Sequence, residues 1–95
     1  MGNEKKLDVI RNYISAQFAG FVVDSWEELD RYRYELRKDN CRHLILVLKE
    51  FLDAFDAQEI QIQLANYNVA MIARSLGDLP ILVTTSGCIF DRDTT

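Results

Sequence analysis

Ninety-five residues, 48% of them hydrophobic and 27% charged, make one small folded domain (1–95) and exclude a disordered chain. A net charge of −4 repels polyanions at long range and favours basic partners, which makes nucleic acid a poor expectation. No apolar run approaches the ~18 residues of a membrane span, and the polar stretch Met1–Leu7 holds no leader, so a cytoplasmic chain without membrane contact is expected.

The charge is unevenly spread. Residues 1–24 balance, residues 25–55 carry −1, and residues 56–95 carry −3. Two cysteines so far apart as Cys41 and Cys88 are poor material for a disulfide.

Taken in chain order, the pattern predicts an α+β fold that is mostly α. Leu7, Ile10, Ile14, Phe18 and Phe21 recur at three- and four-residue steps, giving a first helix over about 4–19 with Gly20 after its end. Phe21-Val22-Val23 reads as a short extended piece. Ser25 with Glu28 has the spacing of a capping box, and a second helix is expected over 25–55, with a break near Asn40. Unbroken, it would be about 45 Å long, too long for so small a domain.

Residues 59–65 fit either periodicity. Alternating Ile60, Ile62 and Leu64 suit a strand, whereas Ile60, Leu64, Tyr67 and Met71 line one helical face. The Asp56–Glu59 capping box favours a third helix over 57–76, stopped at Gly77 and Pro80. Ile81–Thr85 and Cys88–Asp91, separated by Ser86-Gly87, read as a C-terminal β-hairpin packed on the helices. A small three-stranded sheet that includes 21–23 is the alternative. Residues 91–95 are expected as a frayed tail.

Candidate chemistry is sparse. Cys41 and His43 invite a zinc or nucleophile reading, yet a structural zinc site needs four ligands, and only Cys88 and carboxylates could join them. On a helix, two positions apart point in nearly opposed directions, so sharing an ion is hard. Asp24, Glu27, Glu28 and Asp30 cluster as a helix start requires for its dipole. Ser86-Gly87 is turn chemistry, and four scattered glycines make no phosphate loop. No catalytic, cofactor-binding or metal residue is assigned, and no cofactor is expected.

Arg31, Arg33, Arg37, Lys38 and Arg42, interleaved with Tyr32 and Tyr34, form a basic cluster on the expected second helix. It could grip phosphates, but Asp30, Glu35 and Asp39 intersperse it, as in a solvated face with internal ion pairs. Trp, Tyr and Arg are also the residue types of binding hot spots. The expected function is therefore a non-enzymatic protein-binding module, a small acidic inhibitor like bacterial immunity proteins or antitoxins, occluding a basic toxin or effector. Trp26, Glu27, Asp30, Tyr34, Arg37, Asp78 and Asp91 are the candidate partner-binding residues. The alternatives are a regulatory nucleic-acid-binding subunit using Arg31–Arg42 and a small enzyme with a Cys/His site. A homodimer through the second helix is compatible with all three.

Overall fold

Where a long second helix is expected, the chain builds most of a sheet. A computed structural model describes residues 3–90, in the order α1 (Glu4–Gln17), β1 (Val22–Glu27), β2 (Arg31–Lys38), β3 (Cys41–Leu48), α2 (Lys49–Ala54), α3 (Ala57–Asn66), α4 (Val69–Leu76), β4 (Ile81–Thr84) and β5 (Gly87–Phe90). The five strands form one mixed sheet in the order β1-β2-β3-β4-β5, antiparallel throughout except for the parallel β3–β4 pair. The mostly helical fold with a lone C-terminal hairpin is thus corrected: β4 and β5 do form a hairpin, but at one end of a five-stranded sheet. The three-stranded alternative falls with it, although Val22 and Val23 are indeed extended.

The physical reason lies in the period of β2. Tyr32, Tyr34 and Leu36 alternate with Arg31, Arg33, Glu35 and Arg37, which on a strand sends the first set to the core and the second to the other face. Asp39-Asn40, expected as a break in a helix, is the two-residue turn between β2 and β3, with Asp39 in the left-handed region at φ 52°. Leu44 to Leu48 is apolar without interruption because β3 is the central strand and is buried on both faces, Leu46 as fully as Val47. Ser25 caps no helix; it sits within β1, and its hydroxyl accepts a hydrogen bond from Arg11 Nη1 at 3.3 Å.

A parallel neighbour requires a long crossover, and α2, α3 and α4 supply it between β3 and β4. The buried residues of all four helices (Ile10 and Ile14, Phe51 and Leu52, Ile60 and Leu64, Val69, Ala70 and Ala73) join Tyr34, Leu36, Ile45, Val47, Ile81 and Val83 in one core. The helices therefore cover one face of the sheet. Among the described residues no helix is long and apolar enough to cross a membrane.

Residues 59–65 are helical. The expected helix over 57–76 is divided by Tyr67-Asn68, where Asn68 adopts φ 55° and restarts the chain as α4. The Asp56 capping box forms in both directions, with Glu59 N–H donating to Asp56 Oδ1 at 2.8 Å and Asp56 N–H donating to Glu59 Oε1 at 3.0 Å. Replacing Asp56 with Ala should cost about 1 kcal/mol, read as a lower urea midpoint at unchanged slope. An unchanged midpoint would show that α3 is held by its packing alone.

Candidate functional site

The β1–β2 hairpin ends in the turn Glu28-Leu29-Asp30-Arg31, closed by the Glu28 N–H donating to the Arg31 carbonyl at 2.8 Å. At its tip Leu29 is 96% exposed, and Trp26, one step back on β1, is 47% exposed. Glu27, Glu28 and Asp30 surround them and are exposed. The hairpin thus gathers three of the sequence candidates, Trp26, Glu27 and Asp30, in one place. Leu29 and Glu28 belong to the same surface; the signal for them was an apolar residue amid acids, in a segment whose alternation marks a strand followed by a turn.

Register decides what else shares that surface. Trp26 pairs with Arg33, Asp24 with Glu35 and Val22 with Arg37, so these side chains lie on the face turned away from the helices. Arg42, opposite Arg37, lies there too. The basic residues expected along a helix therefore lie on a sheet face instead. Lys38 departs from them, reaching over the Phe21 ring on the helical side with Nζ 5.7 Å from its centroid.

Ion pairs lace this face. Arg31 lies 3.0 Å from Asp30, Arg33 3.5 Å from Glu28, Arg37 2.6 Å from Asp24 and Arg42 2.5 Å from Glu35. On the other side of the hairpin Lys49 Nζ reaches Glu27 at 2.8 Å and lies 5.4 Å from the Tyr32 ring centre. The hydrogen bond from Arg31 holds the Asp30 carboxyl below its ordinary range, and the bond to Glu27 raises the Lys49 ammonium above its own. Such exposed pairs fix geometry more than they stabilise.

Two hollows flank the end of β1. On the far face one of about 490 Å³ is lined by Trp26, Glu27, Glu28, Arg33 and Glu35. On the helical side another of about 310 Å³ lies between β1 and α1, against Leu7, Asp8, Arg11, Ser25 and Tyr34.

The remaining candidates separate. Tyr34 is 3% exposed and belongs to the core, so it is no exposed docking residue; burial pushes its hydroxyl up to about 12. Arg37 shares the far face but lies four positions along β2 from Arg33, bound to Asp24. Asp78 is exposed in the turn after α4, beside Gly77 at the end of the sheet where β3 begins, whereas the hairpin tip lies where β3 finishes. Asp91 lies outside the described residues, as does the expected tail 91–95.

Cys41 and His43 stand on a strand, so the directional objection drawn from a helix does not apply: both positions face the helical side. His43 is buried there against the rings of Phe18 and Phe21, and its Nδ1–H donates to the Gly77 carbonyl at 2.8 Å. Cys41 is exposed, and Cys88 is half-buried with its thiol pushed up to about 11 by desolvation. Among the described residues no three His, Cys, Asp or Glu side chains come together as a metal set.

Neither a protein family, nor a curated protein, nor a solved structure matches the chain.

Proposed function

We propose that this chain is a non-catalytic protein-binding domain of the inhibitor, immunity or antitoxin kind, which occludes a basic partner protein with its β1–β2 hairpin. The observation that carries the reading is the exposure of Trp26 and Leu29 together at the hairpin end, inside a rim of Glu27, Glu28 and Asp30. An indole and a leucine in water are a cost that contact with a partner removes, and an aromatic anchor within a polar rim is the usual build of an interface hot spot. The carboxylates around it would steer a basic surface into place and speed its association.

The nucleic-acid reading is the weaker one because of the ion pairs. Arg31, Arg33, Arg37 and Arg42 each lie within 3.5 Å of a carboxylate, so a phosphate would have to displace an acid at every contact. The Cys/His reading is weaker because His43 spends Nδ1 on a backbone carbonyl inside an aromatic pocket.

The test is co-purification with the tagged chain, repeated with Trp26→Ala combined with Leu29→Ser. The native chain should retain one specific basic protein, and the double variant should bind it about 30-fold or more weakly. Its own stability should fall by no more than about 2 kcal/mol, most of it from the half-covered indole, so the comparison is made between folded chains. A partner that binds both forms equally, or retention of nucleic acid alone, would sink the proposal.

A further inference from the structure

The outer edge of β1 pairs with no described strand. Because Glu28 and Arg31 form a hydrogen-bonded pair, alternation along the ladder makes Trp26–Arg33, Asp24–Glu35 and Val22–Arg37 the others. The N–H and C=O groups of Val23, Ser25 and Glu27 consequently point outward along the free edge. This edge is guarded only by the charges of Asp24 and Glu27. It contains no proline, no lysine and no bulge, since its pairing with β2 runs without a skip from Val22 to Glu27.

A strand added to such an edge turns alternate side chains to opposite faces, and β1 has a hollow on each. The far-face hollow is lined by the carboxylates of Glu28 and Glu35, held by Arg33 and Arg42, with the Trp26 indole as its apolar wall; Glu27 borders it, but its carboxylate is bound to Lys49 on the other side of the hairpin. A cation suits that composition by sharing the two carboxylates, whose oxygens can accept from a second donor, and by resting on the indole face. Resting on the protein-binding reading above, we propose that β1 takes an extended segment of the partner as a sixth strand, with a Lys or Arg of that segment seated in the Trp26–Glu28–Glu35 hollow.

A second copy of this chain is the poorer occupant. Two β1 strands related by a two-fold axis oppose residues of the same face, and the registers that keep the most pairs centre on Asp24 or on Ser25. The first register matches Val22 to Trp26 but places Asp24 directly against Asp24, at a non-hydrogen-bonded position where side chains come closest. The second sets Asp24 against Trp26 and Val22 against Glu28. Each loses on one contact what it gains on another, whereas a basic segment meets the acids and the indole together.

The experiment titrates the isotope-labelled full chain with the capped peptide TVTRTVT, up to concentrations on the order of millimolar. The amide signals of Val23, Ser25 and Glu27 should shift, and their hydrogen exchange should slow. The peptide TVTETVT should bind at least about tenfold more weakly, and raised salt should weaken TVTRTVT. Two further peptides carry backbone N-methyl groups on complementary alternate residues; one should bind and the other fail, because only one set of N–H groups can face β1. Shifts confined to other elements, equal binding of both methylated peptides, or no binding of TVTRTVT would overturn the edge proposal. So would a concentration-dependent dimer that protects the β1 amides, which would assign the edge to a second copy. In each of these cases Trp26-dependent capture of a basic protein would still stand, so failure here and failure of the protein-binding reading are separable.

Discussion

Phe51→Ala should lower folding stability by about 3–5 kcal/mol, the common range for emptying a buried phenylalanine site. Phe51 is fully buried, with its ring centre 5.2 Å from that of Phe55 and 6.0 Å from that of Tyr67. It sits on α2, a helix of six residues that follows β3 without a linker and has no side-chain N-cap. So short a helix has little stability of its own, and α2 stays folded because Phe51 and Leu52 are held in the core. Domains of this size have about 5–14 kcal/mol in total, so the substitution removes at least about a fifth of it. Tm should fall by an amount on the order of 20 °C. Ile62→Ala, on the exposed side of α3 at 51% exposure, is the matched control and should stay within about 0.5 kcal/mol of the native chain. A loss below about 1 kcal/mol for Phe51→Ala would mean that the crossover helices are not anchored through this ring.

The halves of the chain differ in how openly they state their structure. From residue 56 onward local chemistry marks the outer ends of the elements, though not the break at Tyr67-Asn68. Asp56 and Glu59 cap a helix, Gly77 ends one at φ 65°, and Pro80 precedes a strand. Between residues 25 and 48 local chemistry and tertiary context disagree. Ser25 and Glu28 have capping-box spacing, and Arg, Glu, Leu and Lys are good helix formers, yet the alternation of Tyr32, Tyr34 and Leu36 against charged residues has the period of a strand. The sheet satisfies the charges as well as a helix would, by cross-strand pairs such as Arg37–Asp24 and Arg42–Glu35 in place of i,i+4 pairs. Leu44–Leu48 shows no period at all, because a strand buried on both faces and a buried helix read alike. The same misreading explains Tyr34: on an amphipathic helix it falls on the charged side, whereas on β2 it points into the core. Trp26, Glu27 and Asp30 survive as a group because they are neighbours in sequence, and neighbours at a turn stay together under either fold.

A second large effect is expected in alkali. Burial raises the Tyr34 hydroxyl from 10.0 to about 12, against a smaller opposing pull from Arg11, and raises the Cys88 thiol from 9.0 to about 11. In the unfolded chain both protons leave at the ordinary values, so between pH 9 and 12 the unfolded state binds fewer protons than the folded one. Stability therefore falls as pH rises through that window, first as unfolded Cys88 ionises and then as unfolded Tyr34 does. It levels off once the folded groups ionise as well. Two pH units on the Tyr34 hydroxyl correspond to about 3 kcal/mol at most, a large share of the stability of so small a domain, and the half-exposed Cys88 thiol, screened by solvent, contributes less. Urea unfolding of the native chain at pH 9 and pH 12 should show that loss, and Tyr34→Phe should lose less over the same interval, because no phenol remains to ionise in its unfolded state. The Phe variant keeps the ring in the core and removes only the oxygen, so a smaller alkaline loss isolates the desolvated hydroxyl. An equal loss in both proteins would place the alkaline weakness elsewhere and remove Tyr34 ionisation as its cause.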